Sequence, residues 1–196
     1  MANIVVNDFI PIPDIFYPEG KTTPFKHCKV CDRELIESEE TYFIEKHYRQ
    51  DIKTGKRMLD YELVICWDCA MKFRQQLSKK SQATLQKYFI EKVDMKARTE
   101  TLKKHKLFEV NIWLQHCIVT QKNIEELDDF KVSAICAGPH MLFHDLPYMI
   151  SGEVVDELSE LLSKETQEIM DDFFTEHVDL PPEMEDIFNP KKRVFV

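Results

Sequence analysis

Two Cys-x-x-Cys pairs, Cys28-Lys-Val-Cys31 and Cys66-Trp-Asp-Cys69, are the residues of this chain whose type and spacing point most directly to chemistry. Two residues between cysteines let a tight turn aim both thiolates at one ion, and two such pairs complete a tetrahedral, all-sulfur site. The spacing predicts one structural Zn²⁺ per chain, with Zn–S distances near ~2.3 Å. Four sulfur ligands leave no coordination position for water, so a catalytic zinc is not expected. The same donor set would also hold iron in the manner of rubredoxin.

A second set of metal-type residues, Cys117, Cys136, His140 and His144, has poor spacing for one ion. Cys136 falls within a strand pattern, where a free cysteine usually acts as a small buried hydrophobe. His27 and His116, each preceding a knuckle cysteine, read as turn residues, and no third group orients a Cys117–His116 thiol catalyst. The acidic run from Glu125 to Asp129 and the Asp171-Asp172 pair read as solvated faces. Trp67, between two ligands, reads as a packing or shielding aromatic or an anchor for a partner. Only four glycines are present, and neither a P-loop nor a dinucleotide fingerprint occurs.

Elements must bring the two cysteine pairs together. The 34 residues between Cys31 and Cys66 contain two strand patterns, Thr41 to Gln50 and Arg57 to Ile65. Gly55 is suited to the turn between them. Cys66 to Cys69 leads into a helix from Ala70 to about Leu77. A further helix, started by Ser78 or Ser81, carries Leu85, Tyr88, Phe89 and Val93 on one face and is predicted to run past Lys104. Trp113 to Val119 is short and apolar. Phe130 to Ala137 and His140 to His144 read as strands joined by Gly138-Pro139. Ser151 and Ser163 open helices that end before Pro181-Pro182.

Knuckle, hairpin and a Cys-x-x-Cys opening a helix resemble the treble-clef class of zinc fingers, over residues 25–77. That resemblance implies a scaffold, and the class hosts binding modules as well as some nucleases. The second half repeats the order. Residues 77–93 (LSKKSQATLQKYFIEKV) align without a gap with residues 162–178 (LSKETQEIMDDFFTEHV), and His27-Cys28 and Cys66 to Cys69 align with His116-Cys117 and Ser151 to Val154. Three of four ligand positions have become Thr120, Ser151 and Val154, so the second copy is expected to be metal-free, with the Ser151 side chain capping its helix. The expected fold is α+β, two treble-clef-like units of which only the first binds zinc. The division is an extended arm (1–24), a zinc unit with a long basic helix (25–108), a metal-free acidic unit (109–180) and a tail (181–196).

Composition is that of a globular chain, 43% hydrophobic and 31% charged. No apolar run approaches the ~20 residues of a membrane helix, and the start has no basic region of a secretory signal, so a cytoplasmic protein with no membrane partner is expected. Net charge is −9, with eleven Lys and Arg against three acids from Lys72 to Lys106 and three against nineteen from Leu107 to Pro190. The leading expectation is a non-enzymatic, intracellular, zinc-binding interaction module or adaptor for a protein partner. Its contacts would be Phe9, Ile10, Ile15, Phe16 and Tyr17 in the arm and Ile187 and Phe188 in the tail. Nucleic-acid association through Lys79, Lys80, Lys87, Lys96, Arg98, Lys103 and Lys104 is the alternative, and a treble-clef hydrolase or nuclease ranks below it. Nucleic acid is not the expected partner, because these charges wrap their helix instead of forming a track.

Overall fold

The two strand patterns of the first half form a long hairpin, β2 (Thr41–Asp51) and β3 (Lys56–Cys66), paired from Tyr42↔Cys66 to Asp51↔Lys56 with a register shift between His47 and Tyr48. Gly55 supplies the positive φ, 67°, that its tight turn needs. The computed structural model describes residues 9–38, 40–105 and 108–178. On the other side of β2 lies β4 (Asp129–Ala137), antiparallel, with Tyr42 opposite Cys136, Tyr48 opposite Phe130 and Glu45 opposite Ser133 at the centre.

Beyond β4 the sheet departs from expectation. The strand expected over His140–His144 is only β5 (His140–Leu142), paired to Cys136 and Ala137. The chain then turns away and returns as β6 (Tyr148–Ser151), paired to Phe130–Ser133, and it is β6 that feeds the next helix. Four residues buried on both sides carry no alternation, so β6 has no sequence signature. The arm is not a loose extension either. Phe9–Pro11 form β1 on the free edge of β5, and Ile12 and Phe16 are buried in the core. Prolines 11 and 13 lack N–H groups, which suits an edge position.

Six α-helices cover this antiparallel sheet among the described residues: α1 (Trp67–Gln76), α2 (Lys79–Lys92), α3 (Met95–Lys104), α4 (Val110–Leu114), α5 (Gly152–Leu161) and α6 (Lys164–His177). The long basic helix predicted to run past Lys104 is two helices. Val93 is extended, and the Asp94 side chain accepts the Ala97 N–H to cap α3. Ser78 and Ser163 cap α2 and α6 as expected, accepting from Ser81 N–H and Thr166 N–H. The two caps also touch each other. Ser78 Oγ lies 3.1 Å from Ser163 Oγ, Thr166 Oγ1 accepts the Ser78 N–H, and Ser81 Oγ accepts the Ser163 N–H.

Tyr88 from α2, Val93 directly after it, and Val154, Val155 and Leu158 from α5 enter one core with the sheet. Phe174 and Val178 cover Tyr61 and Leu63 separately. Among the described residues no helix is long and apolar enough to cross a membrane.

Candidate metal centre

α1 begins at Trp67, three residues earlier than expected, so Cys66 is its N-cap residue and Cys69 lies in its first turn. The first pair sits on a knuckle. Cys28 N–H donates to Arg33 O and Asp32 N–H to Cys28 O, with Asp32 at φ 57° to close the turn. Lys29 N–H donates to Val64 O of β3, which fixes the knuckle beside the end of the hairpin. The ligand atoms of Cys28, Cys31, Cys66 and Cys69 consequently all lie within 4.8 Å of one another.

Four sulfurs around zinc at ~2.3 Å would be about 3.8 Å apart on a tetrahedron. Cys31 Sγ and Cys66 Sγ are 3.8 Å apart. Cys28 Sγ accepts the Cys66 N–H at 3.3 Å, the contact a metal thiolate makes at a helix start. Burial, then the adjacent thiols, push the Cys69 thiol well above its ordinary value, so four thiols this close need a cation to ionise together. The residues fit a single metal ion, zinc best, with all four positions filled by sulfur. Arg33 ties the knuckle to α1 through Asp68 (2.8 Å) and to Glu40 (3.3 Å).

The second half reproduces these bonds around one sulfur. Cys117 N–H donates to Lys122 O, Gln121 N–H to Cys117 O with Gln121 at φ 60°, and Ile118 N–H to Met149 O of β6. Cys117 Sγ accepts the Ser151 N–H at 3.3 Å and the Thr120 N–H at 3.4 Å. Burial opposes ionisation of Cys117, but donors from Thr120 and Ser151 outweigh it and the thiol is lowered from its ordinary value. Ser151 does not cap α5 with its side chain, contrary to expectation. Its hydroxyl donates to Cys117 Sγ at 3.6 Å and to Glu153 at 3.4 Å, so the sulfur, not the serine, collects the amides.

The other candidates separate. Cys136 is buried in β4, His144 is exposed beside Asp145, and among the described residues Cys117, Cys136, His140 and His144 form no metal-type cluster. Trp67 stacks on Phe43 at 5.5 Å and keeps 45% of its surface exposed. Of the arm contacts, Phe16 is buried and Ile10, Ile15 and Tyr17 pack on the core, because the arm completes the sheet. Phe9 remains exposed. Ile187 and Phe188 lie outside the described residues.

Of the basic residues, Lys87 and Lys96 face Glu91 and Glu100 one turn on. Arg98 is spent inside, donating to Trp113 O and Pro147 O and lying 4.7 Å from the Trp113 ring centroid.

Sequence reasoning missed a buried polar layer. Glu45 Oε1 accepts from Lys131 Nζ and from Tyr61 Oη, both at 2.9 Å, and all three residues are almost fully buried. Burial lowers Lys131 from its ordinary value, and the Glu45 carboxylate opposes that. Nearby, Asp60 is bridged by His47 (3.2 Å) and Arg49 (2.6 Å). The signal available was the triplet Glu45-Lys46-His47 in the middle of β2, directly after Tyr42-Phe43-Ile44.

No protein-family model matches the chain, and no curated protein or solved structure matches it significantly.

Proposed function

We propose that this protein is a non-enzymatic, zinc-stabilised interaction module built from two treble-clef-like units, of which the second has replaced its metal with the amide contacts of Cys117. The observation that carries the reading is the all-sulfur cluster of Cys28, Cys31, Cys66 and Cys69. Four protein ligands leave a tetrahedral ion no open position to bind or activate water, so the ion organises structure. Organised in this way, the knuckle, the end of β3 and the first turn of α1 form one rigid corner.

The contact element retained from the sequence reading is the strand β1 with exposed Phe9, whose outer edge is unpaired among the described residues and can be extended by a partner segment. The internal use of Arg98 and the ion pairs of Lys87 and Lys96 favour a protein partner over a nucleic acid.

The test is purification from the native host with metal analysis. One zinc per chain and a protein partner lost on Phe9→Ser at unchanged zinc content would support the reading. Salt-sensitive micromolar binding to DNA or RNA, abolished by charge reversal at Lys103 and Lys104, would replace it with the nucleic-acid alternative.

A further inference from the structure

Coordination would hold all four sulfurs of the metal centre as thiolates, the nucleophilic form of cysteine. Access then decides which of them meets an oxidant. Cys28, Cys66 and Cys69 are 2%, 0% and 8% exposed. Cys31 alone of the four is exposed, in a run of exposed residues from Cys31 to Arg33. A second sulfur lies close behind it, with Cys66 Sγ 3.8 Å from Cys31 Sγ. An exposed thiolate backed by a buried one is the arrangement of a reactive and a resolving cysteine.

We propose, on the zinc reading of that cluster, that Cys31 is an oxidation site at which hydrogen peroxide drives release of the ion, with Cys66 as the resolving residue. In the first step the Cys31 thiolate attacks one peroxide oxygen and the O–O bond breaks. The products are a sulfenic acid on Cys31 and a hydroxide. In the second step the Cys66 thiolate attacks Cys31 Sγ, the S–S bond forms and the S–O bond breaks, releasing a second hydroxide. Two protons from solvent convert both hydroxides to water. The two sulfurs together lose two electrons and the peroxide gains them.

Only Cys28 and Cys69 then remain as ligands, too few to retain zinc. Cys66 is also the N-cap residue of α1, and its N–H donates to Cys28 Sγ, so the knuckle and the helix start loosen together. A disulfide is a reversible product, so a thiol reductant with added zinc restores the site. The second knuckle supplies an internal contrast. Cys117 is 0% exposed, which keeps its sulfur out of reach of the oxidant.

The test adds hydrogen peroxide to the zinc-loaded full chain. Zinc content is measured first, release is followed with a chromogenic chelator, and disulfides are mapped by mass spectrometry. Expected are one zinc per chain at the start, its release under peroxide, a Cys31–Cys66 disulfide and an unmodified Cys117. Cys31→His keeps four zinc ligands without the exposed thiolate and is expected to release zinc at least about tenfold more slowly. Cys69→His, the same exchange at a buried position, should release it at the rate of the unaltered chain. Where a variant fails to load zinc, the disulfide map of the unaltered chain decides. Zinc absent before peroxide would overturn the metal reading and this inference with it. Zinc retained under peroxide, a first disulfide between any other pair, or equal rates in Cys31→His and the unaltered chain would overturn this inference alone.

Discussion

The two knuckles place the same backbone hydrogen bonds around different chemistry. In the first, Cys28 N–H and Asp32 N–H close the turn, and Cys28 Sγ accepts from Cys66 N–H. In the second, Cys117 N–H and Gln121 N–H do the same, and Cys117 Sγ accepts from Ser151 N–H. One has three further thiols for an ion; the other has a sulfur acting alone. What compensates is the helix that follows. α5 buries Val154, Val155 and Leu158, whereas α1 buries Cys69, Ala70 and Phe73. A knuckle can stand without a metal when its helix holds itself to the sheet by apolar area, because burial then supplies what coordination would.

Metal removal should separate the halves most strongly. Chelation, or Cys66→Ser, is expected to unfold the knuckle around Cys28 and the start of α1, a loss of several kcal/mol visible as collapsed hydrogen-exchange protection there. Cys117→Ser should cost about 1 kcal/mol, since a hydroxyl oxygen can still accept the amides. Equal losses at the two sites would end the comparison.

The next contrast is at the centre of the sheet, where Glu45 faces Ser133. Glu45→Ala removes the carboxylate facing the buried Lys131 ammonium and should cost about 3–5 kcal/mol in urea unfolding, while Ser133→Ala should stay within about 1 kcal/mol. Replacing Glu45 and Lys131 together by Leu and Met should recover most of the loss.

At the first residue of each helix the order reverses. A Cβ on Gly152 would clash with the Asp129 carboxylate, so Gly152→Ala must displace that buried group and should cost about 2 kcal/mol by thermal melting. Trp67→Ala, at the matching position, removes only the stack on Phe43 and should cost about 1 kcal/mol.

The capping serines are the place where the halves should behave alike. Ser78→Ala and Ser163→Ala are each expected to cost about 1 kcal/mol, and the double variant less than their sum, because the two caps hydrogen-bond to one another.

The smallest effect concerns pH. The folded Cys117 thiol titrates below its ordinary value of 9.0, so between the folded and unfolded values the unfolded chain binds more protons. Stability of the wild-type chain, measured against Cys117→Ser, should therefore rise with pH through that window and level off above about 9. The gain should be lost again as pH falls through the folded value. A flat difference would mean that the sulfur stays a neutral thiol.

The sequence by itself determined whatever local chemistry dictates. Cysteine spacing set the four-sulfur cluster, turn chemistry set the β2–β3 hairpin, and serine caps set the starts of α2 and α6. Each Cys-x-x-Cys pair, the turn and the caps depend on residues within a few positions of each other, where spacing is geometry, and the hairpin between the two pairs returns one to the other. The alignment of residues 77–93 with 162–178 likewise marks two helices of equal length.

Tertiary structure alone decided the rest. Ser151 carried the expectation of a cap, yet its side chain caps no amide of α5 and its N–H donates to a sulfur 34 positions away. Arg98 reads as surface charge until Trp113 and two carbonyls surround it. Phe16 reads as a contact residue until the arm pairs with β5 and buries it. The Glu45 carboxylate is paired only because Lys131 and Tyr61 arrive from other strands. Each of these is settled by groups distant in sequence, whose energies depend on burial and partner geometry that no local pattern records.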